Sequence, residues 1–268
     1  FSTFIDAVVR EAIPLTIAQV SGYQVGVEAN GLLTSPSLPT GPSQVRNLTV
    51  TDLLYADDVT LVARSKEGLA RMLTALQRAA TRWGLAINVR KMKAMVFHPL
   101  TRPFNLPSPI RLHGGAVEFV EYFTYLGSIW THTGSLDREV SRRAGAARGA
   151  INQLQSLWKK RGVERSLKIR IAKALIPPAL SYSCETWCPS TRHVDCLNVV
   201  LHQGLRRALG VSPLEKVSND TIRRTANVDE MGTYSRMQRL RYLGHVARGQ
   251  DRLTHALLFA THPTHSAC

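Results

Sequence analysis

The sequence has few cysteines, few acidic residues and no long apolar run. Its four cysteines all lie in the last third of the 268 residues, which excludes a disulfide framework and favours a reducing, intracellular compartment. No stretch approaches the roughly 20 apolar residues that a membrane-spanning helix needs, so we expect no membrane partner. An apolar content of 44% nevertheless predicts a globular chain with a substantial core.

Basic residues outnumber acidic ones by 34 to 19, which gives a net charge of +15. Residues 1–100 contain ten Lys and Arg against seven Asp and Glu, so the rest of the chain carries +12 of this charge. A surplus of this size attracts phosphate-bearing partners over long range. It therefore favours nucleic acid as a partner over an anionic membrane surface.

The first hundred residues change from a helical to a β-rich pattern. Residues 1–12 place apolar side chains at helical spacing, and Pro14 ends that pattern. Because the chain begins with Phe1 inside this pattern, we expect a fragment of a longer protein or a truncated reading frame. Gly and Pro are frequent from 15 to 46, and the clearest loop is predicted at 35–42.

An acidic hairpin and a helix follow this loop region. Two β-rich runs flank Ala56-Asp57-Asp58, which predicts a β-hairpin. Ser65 is the expected N-cap of an amphipathic helix that ends near Trp83, before Gly84. Short strands are predicted at 85–89, 94–97, 109–113 and 116–121, with a further hairpin near 122–129.

The second half of the sequence is predicted to be helical, which makes the whole chain α+β. A long amphipathic helix capped by Ser135 is expected to reach Trp158. Pro177-Pro178 should end the next helix, and Gly210 should end the one after it. The predicted helices after Trp158 are 166–176, 193–209, 218–226 and 230–247.

The adjacent carboxylates of Asp57 and Asp58 suggest a metal site for phosphoryl transfer. Nucleotide polymerisation is an in-line displacement at phosphorus that uses divalent ions about 3.5–4 Å apart, and carboxylates must hold those ions. The simpler interpretation is a polar turn, because Asp is a common turn residue. The position between two apolar β-runs, followed by an amphipathic helix, favours the catalytic interpretation.

Tyr55-Ala56-Asp57-Asp58 resembles motif C of reverse transcriptases of non-LTR, LINE-type retrotransposons. Residues 1–8 resemble the stretch after motif B, residues 84–91 resemble motif D, and residues 123–128 resemble motif E, the primer grip. Further segments resemble the thumb and C-terminal region of the same elements; they are 185–187, 205–207 and 241–245.

This resemblance implies a partial polymerase palm, an antiparallel sheet with packed helices, at 1–129. An all-helical basic thumb at 130–183 and a helical C-terminal region at 184–268 would follow it. The implied activity is RNA-directed DNA polymerisation. The implied partners are an RNA template, a DNA primer and deoxynucleoside triphosphates, the implied location is the nucleus, and the oligomeric state stays open.

The resemblance also implies individual residue roles. Asp57 would be the main ligand and Asp58 the weaker ligand of two Mg²⁺ or Mn²⁺ ions in the complete enzyme. Tyr55 and Ala56 would border the incoming nucleotide and the primer end, and Lys91 would protonate the departing pyrophosphate. Met92 departs from the threonine usual after this lysine. The residues implied for the primer grip are Tyr125, Leu126 and Gly127.

A strongly basic segment follows the primer-grip-like residues. Between Arg138 and Lys173, eleven Lys and Arg stand against two Asp and Glu. A solvated helix face is the usual reading of such a run, but the density of one sign favours a phosphate backbone as partner. The candidate nucleic-acid-binding residues are Arg138, Arg142, Arg143, Arg148, Lys159, Lys160 and Arg161.

Two features of the resembling family have no counterpart in the sequence, namely the motif A aspartate and the glycine-rich motif B. Asp6 and Asp52 are not substitutes for that aspartate. We therefore expect the isolated chain not to polymerise DNA. The alternative is a non-catalytic nucleic-acid-binding remnant of a retroelement.

Cys184, Cys188, His193 and Cys196 contain the residue types of a zinc site. Their spacing matches no common arrangement of paired ligands, and Pro189 would end a helix that placed the first two on one face. A core or incidental role is the favoured interpretation.

Overall fold

The computed structural model describes residues 2–14, 17, 18, 21–28, 45–97, 105–212, 214–249 and 254. Helices and short strands form a mixed α+β fold, which confirms the predicted fold class at that level. None of the helices within these ranges is both long and apolar enough to cross a membrane. The chain divides into a first unit, Phe1–Ala94, Asn105–Val120 and Val246–Cys268, and a second unit, Met95–Phe104 and Glu121–His245.

The first unit combines helices with three small sheets. Strand β7 lies between β5, to which it is parallel, and β6, to which it is antiparallel, whereas β1–β2 and β3–β4 are antiparallel pairs. The elements are α1 Ser2–Ala12, β1 Tyr23–Glu28, β2 Val45–Val50, β3 Asp52–Tyr55, β4 Asp58–Leu61, α2 Lys66–Arg82, β5 Lys93–Ala94, β6 Ile110–Leu112 and β7 Gly115–Phe119.

Helices α1 and α2 pack against each other through their apolar faces. Val8 and Val9 of α1 are buried against Met72 and Leu76 of α2. The end signals of α2 are those predicted from the sequence, since the Gly68 amide donates to the Ser65 hydroxyl at 3.0 Å. This core carries the β3–β4 hairpin, because partly buried side chains of both strands pack on it. Those side chains are Leu54, Val59 and Leu61.

Apart from Met95–Phe104, the second unit consists of a hairpin followed by packed helices, the last of which continues three residues beyond His245. Strands β8, Tyr122–Tyr125, and β9, Ser128–Thr131, pair antiparallel. The helices bury one continuous core that extends from α3 to α8. It contains side chains from both sides of the boundary predicted between residues 183 and 184. Their bounds are α3 Asp137–Gln153, α4 Gln155–Lys159, α5 Arg165–Ser181, α6 Thr191–Leu209, α7 Asn219–Ala226 and α8 Met231–Arg248.

The predicted long helix to Trp158 was wrong, because it breaks at Leu154 into α3 and α4. The Trp158 indole donates to the Ile151 carbonyl at 2.8 Å and is buried. Burying this large ring against the core therefore takes precedence over continuing the helix. The expected cap was also displaced, since Ser135 accepts from the Asp137 amide at 3.2 Å while Leu136 occupies the N-cap.

The predicted stop at Pro177-Pro178 was wrong as well, because α5 continues to Ser181. Proline removes an intrahelical hydrogen bond and crowds the preceding turn. The flanking Ile176 and Leu180 are fully buried in the core, and the Ser181 hydroxyl donates to the Pro177 carbonyl at 2.8 Å. Tertiary packing thus carries the helix across both prolines.

Several strand predictions were shifted or replaced. Residues 85–88 are irregular, and a 3₁₀ turn at Val89–Lys91 replaces the end of the strand predicted at 85–89. Within the region 15–46, where Gly and Pro are frequent and no strand was predicted, Tyr23–Glu28 forms a strand paired with Val45–Val50. The predicted loop at 35–42 lies outside the described residues.

Candidate active site

The acidic motif forms the predicted hairpin turn. Tyr55 pairs with Asp58, so Ala56 and Asp57 are the two turn residues. Ala56 has a φ of +54°, in the left-handed region that costs a non-glycine residue about 1–2 kcal/mol. Two-residue hairpin turns require a positive φ at this position, so the turn is a candidate site on its sequence and its side chains and not on its backbone geometry.

The side chains of this turn face solvent. Tyr55 is 63% exposed, and Asp57 and Asp58 are both exposed. Within the described ranges, neither carboxylate has a hydrogen bond or an ion pair. Two adjacent, uncompensated carboxylates repel each other, and a divalent cation would relieve that repulsion.

The turn fits a divalent ion as a pair of oxygen ligands. Mg²⁺ prefers oxygen and commonly takes one or two carboxylates while water and substrate phosphates complete its shell. In the part of the chain that the structure describes, no group of three or more His, Cys, Asp or Glu side chains could hold a metal. The described residues therefore contain no closed metal cage, and the metal-binding role of Asp57 and Asp58 stays a prediction.

Lys91 ends the 3₁₀ turn Val89–Lys91 and is exposed. No hydrogen bond or ion pair among the described residues joins it to Asp57 or Asp58. Lys93, two residues further on, is instead paired with Glu118 at 3.0 Å across the β5–β7 pair. The proposed proton-donor role of Lys91 stays a prediction.

The primer-grip-like residues form the turn of the β8–β9 hairpin in the second unit. Tyr125 pairs with Ser128, and the turn residues Leu126 and Gly127 have φ values of +45° and +77°. The Tyr182 hydroxyl donates to the Leu126 carbonyl at 3.1 Å. A Cβ on Gly127 would lie 3.1 Å from that hydroxyl, so the close approach of Tyr182 and the positive φ together favour glycine here.

A buried carboxylate, which the sequence reasoning missed, holds this turn. Glu139 is 1% exposed, and it accepts hydrogen bonds from the Ile129 amide at 2.8 Å and from the Arg143 Nε at 2.6 Å. Arg142 also pairs with Glu139, and both guanidinium groups contact the Gly127 carbonyl. The spacing of Glu139 from these arginines, three and four residues along a helix, is the signal that could have found the network.

The network changes the interpretation of the basic residues. Arg143 is 12% exposed, pairs with Glu139 and lies 4.4 Å above the Tyr182 ring. Its guanidinium group is therefore engaged by contacts within the second unit. Arg138 is exposed and lies 4.1 Å above the Tyr122 ring. The other candidates that remain exposed to solvent are Arg148, Lys159, Lys160 and Arg161.

The cysteine and histidine residues considered for zinc lie in ordinary structural contacts. Burial raises the pKa of Cys184 to about 11, so its thiol keeps its proton near neutral pH, whereas zinc binds thiolate. The Nδ1 of His193 accepts from the Ser190 amide at 3.2 Å, and its Nε2 lies 3.0 Å from Asp137 Oδ1. This histidine completes the capping box of α6.

Comparison with known families supports the resemblance. Residues 22–130 match the family model described as reverse transcriptase (RNA-dependent DNA polymerase). A Caenorhabditis elegans protein described as transposon-derived is 25% identical over 215 residues, which cover 78% of this chain and 75% of that protein. No solved structure matches the chain significantly.

RNA-directed DNA polymerases of the mobile element jockey, from Drosophila melanogaster and Drosophila funebris, are each 24% identical over 164 residues. The match covers 58% of this chain but only 18% of those polymerases. The placement of individual motifs and the roles of individual residues stay predictions. The comparisons support a reverse transcriptase relationship, which residues 22–130 carry directly.

Proposed function

We propose that this chain is the later part of an RNA-directed DNA polymerase of a non-LTR retrotransposon. Residues 1–129 would supply part of the palm, residues 130–183 the thumb and residues 184–268 a helical C-terminal region. The observation that carries the proposal is the solvent-facing turn with two unpaired carboxylates at Asp57 and Asp58, inside the segment that matches the family. Nuclear localisation would follow from the same proposal.

In the proposed mechanism, Asp57 and Asp58 hold divalent ions at the hairpin turn. Bound Mg²⁺ or Mn²⁺ would supply charge stabilisation for in-line transfer to a primer hydroxyl. Tyr55 and Ala56 border the primer end and the incoming deoxynucleoside triphosphate, and Lys91 donates a proton to the leaving pyrophosphate. Because the sequence matches only this pair of the family's metal ligands, the 268-residue chain alone is proposed to bind metal without polymerising DNA.

The primer strand would meet the second hairpin. Leu126 and Gly127 stand at its turn and are held by Tyr182 and the Glu139 network. Their backbone is thereby fixed before any nucleic acid binds, which lowers the ordering cost of binding. Tyr125 precedes this turn and is partly buried. The exposed cations that follow would contact the phosphates of the RNA template and the DNA primer.

Metal binding at the first hairpin is testable without polymerase activity. Because Asp57 and Asp58 are adjacent and unpaired, substoichiometric Mn²⁺ should broaden the backbone amide NMR signals of residues 55–59 before others. Replacing both by asparagine should abolish that selective broadening, since the amide side chains carry no charge. Asp52→Asn, in strand β3 of the same hairpin, is the matched control and should leave the broadening intact.

Uniform broadening along the chain, or broadening at the hairpin that persists in the double variant, would contradict the metal-binding role of the turn. If Asp52→Asn lost the broadening while the double variant kept it, the metal ligands would lie elsewhere in the hairpin. The chain's other exposed carboxylates serve as internal references in the same spectra.

Binding of a template–primer hybrid should weaken steeply as salt rises. The slope of log K against log salt is about −0.9 for each phosphate neutralised on duplex DNA. Replacing Lys159, Lys160 and Arg161 by glutamine should reduce that slope by about 2–3 and weaken binding severalfold. Fluorescence anisotropy of a labelled hybrid across a salt series measures both quantities.

The matched control removes three exposed arginines from the first unit, Arg78, Arg90 and Arg111. It lowers the net charge by the same amount, so it corrects for non-specific attraction. An equal loss of slope in both variants would mean that net charge alone binds the hybrid. Salt-independent affinity would count against a phosphate-binding surface altogether.

A second candidate is a non-catalytic nucleic-acid-binding remnant of a retroelement. It is favoured by the similarity to a protein described as transposon-derived, of which the match covers 75%. The two candidates differ at the first hairpin. Salt-dependent hybrid binding without selective Mn²⁺ broadening at residues 55–59 would favour the remnant.

A further inference from the structure

A small aromatic cavity opens on the second unit beside strand β9. Its volume is about 250 Å³, and Phe97, Trp130, Trp187 and Cys188 are among the residues that line it. Phe97 is 62% exposed and Trp130 is 43% exposed, with their rings edge to face at 6.5 Å. A cavity below the roughly 300–1,000 Å³ of drug-sized ligand pockets suits a single planar ring system.

The rim of this cavity also carries a polar group. Thr186 lines it and is exposed, and its hydroxyl donates to the Ser183 carbonyl at 2.9 Å, so the hydroxyl oxygen can still accept a hydrogen bond. Ser128 also lines the cavity, but its hydroxyl, which has no partner among the described residues, has almost no accessible surface and lies beyond the reach of a ligand. A ligand that combines a flat face with a hydrogen-bonding edge would suit both the exposed rings and Thr186.

A cation stands at the same end of the hairpin. Thr131 lines the cavity and pairs with Tyr122, whose ring lies under the exposed Arg138 guanidinium at 4.1 Å. The carboxylate that lines the cavity, Glu139, is neutralised by two arginines. Asp137, next to Arg138, is 64% exposed, but it accepts from the cavity-lining Ser135 hydroxyl at 2.6 Å and lies 3.0 Å from His193 Nε2. Arg138 is therefore the cation that a negative charge beside the ligand's ring would meet, next to a carboxylate that Ser135 and His193 already engage.

A nucleotide within a strand has this combination of ring, polar edge and phosphate. We propose that the cavity binds an unpaired base of a single-stranded nucleic acid, with its phosphate near Arg138. Aromatic faces stack bases of any sequence. A base within a duplex cannot reach the cavity without unstacking, so duplex is excluded as occupant. The proposal rests on the proposed function only in taking nucleic acid as the partner.

Cys188 provides the measurement, because it is exposed and lines the cavity, whereas Cys184 is buried. Its alkylation by iodoacetamide is followed by mass spectrometry, with Cys196 as the internal reference. An oligouridine or oligothymidine of roughly 12 nucleotides, within the site sizes common for single-strand binding, should slow alkylation of Cys188 severalfold. An abasic strand of equal length and charge should not.

A variant tests the ring directly. Trp130→Ala should weaken single-strand binding roughly tenfold and leave duplex binding unchanged, since stacking on one ring is lost. Trp130→Phe should restore most of the affinity. Tyr242→Ala, which removes an exposed aromatic ring from α8, is the matched control and should have no effect.

The outcomes test the base-binding cavity separately from the proposed function. Protection of Cys188 by oligouridine or oligothymidine, without protection by the abasic strand, supports the base-binding cavity. Equal protection by the abasic strand, or tight single-strand binding with unprotected Cys188, overturns the cavity and leaves the proposed function standing. Failure of every strand and duplex to bind overturns both.

Discussion

Replacing Glu139 by glutamine is expected to lower the free energy of unfolding of the second unit by about 3–5 kcal/mol, the usual cost of breaking one side of a buried ion pair. The side chain is 1% exposed and Arg143 is 12% exposed, so water cannot replace the lost charge. The Ile129 amide would also keep only a neutral acceptor. Urea unfolding followed by tryptophan fluorescence measures the change, because Trp158 and Trp187 are buried in this unit.

Glu164→Gln is the matched control for Glu139→Gln. Glu164 is exposed, and the only hydrogen bond of its side chain among the described contacts is from the Ser166 hydroxyl at 3.0 Å. The control should change stability by less than about 0.5 kcal/mol. A double variant, Glu139→Gln with Arg143→Met, removes the stranded charge and should recover part of the loss. A loss below about 1 kcal/mol in Glu139→Gln would mean that water reaches Glu139.

The Glu139 network has a consequence for the primer-grip-like turn. Leu126 has a φ of +45°, a conformation that an isolated chain disfavours. The contacts of Tyr182, Arg142 and Arg143 with the turn carbonyls hold it in that conformation. Any variant that releases Glu139 should therefore disorder the turn, and the chemical shifts of the Leu126 and Gly127 amides would report that change separately from global stability.

Sequence patterns predicted the parts of the fold that local chemistry decides. The Ser65 cap, the apolar face of α2 and the positive φ of Gly84 and Gly210 all depend on neighbouring residues. The β3–β4 hairpin was readable because its two apolar runs flank a short polar break. The solvent-facing position of Asp57 and Asp58 followed from that turn.

Features that depend on distant residues could not be read from local patterns. The helix through Pro177-Pro178 exists because Ile176 and Leu180 fit the core, which no local signal reports. Strand β1 depends on pairing with Val45–Val50, some twenty residues away. For the candidate site, charge density predicted Arg143 as a phosphate ligand. The structure places its guanidinium beside the buried carboxylate of Glu139, one of the two acidic residues in the basic segment.

The crossing of α6 with α3 and α5 depends on the absence of a side chain at Gly204. A Cβ there would lie 2.3 Å from the Ile176 Cδ1 and 2.9 Å from the Ile151 Cδ1, and both isoleucines are buried. Glycine costs about 1 kcal/mol relative to alanine in a helix interior. The close approach of the helices is the structural reason for glycine at position 204.

Gly204→Ala should therefore destabilise the second unit by up to about 2 kcal/mol, since an overpacking cost of about 1–3 kcal/mol opposes a gain of about 1 kcal/mol in helix propensity. Gly145→Ala in α3, where a Cβ meets nothing within 4 Å, should instead stabilise by about 0.5–1 kcal/mol. Urea unfolding would thus separate the same substitution at two helix positions by up to about 3 kcal/mol. Adding Ile176→Val removes the closest methyl group and should make Gly204→Ala less costly. Equal effects at both glycines would show that the helices adjust to the added methyl and that the crossing is not set by Gly204.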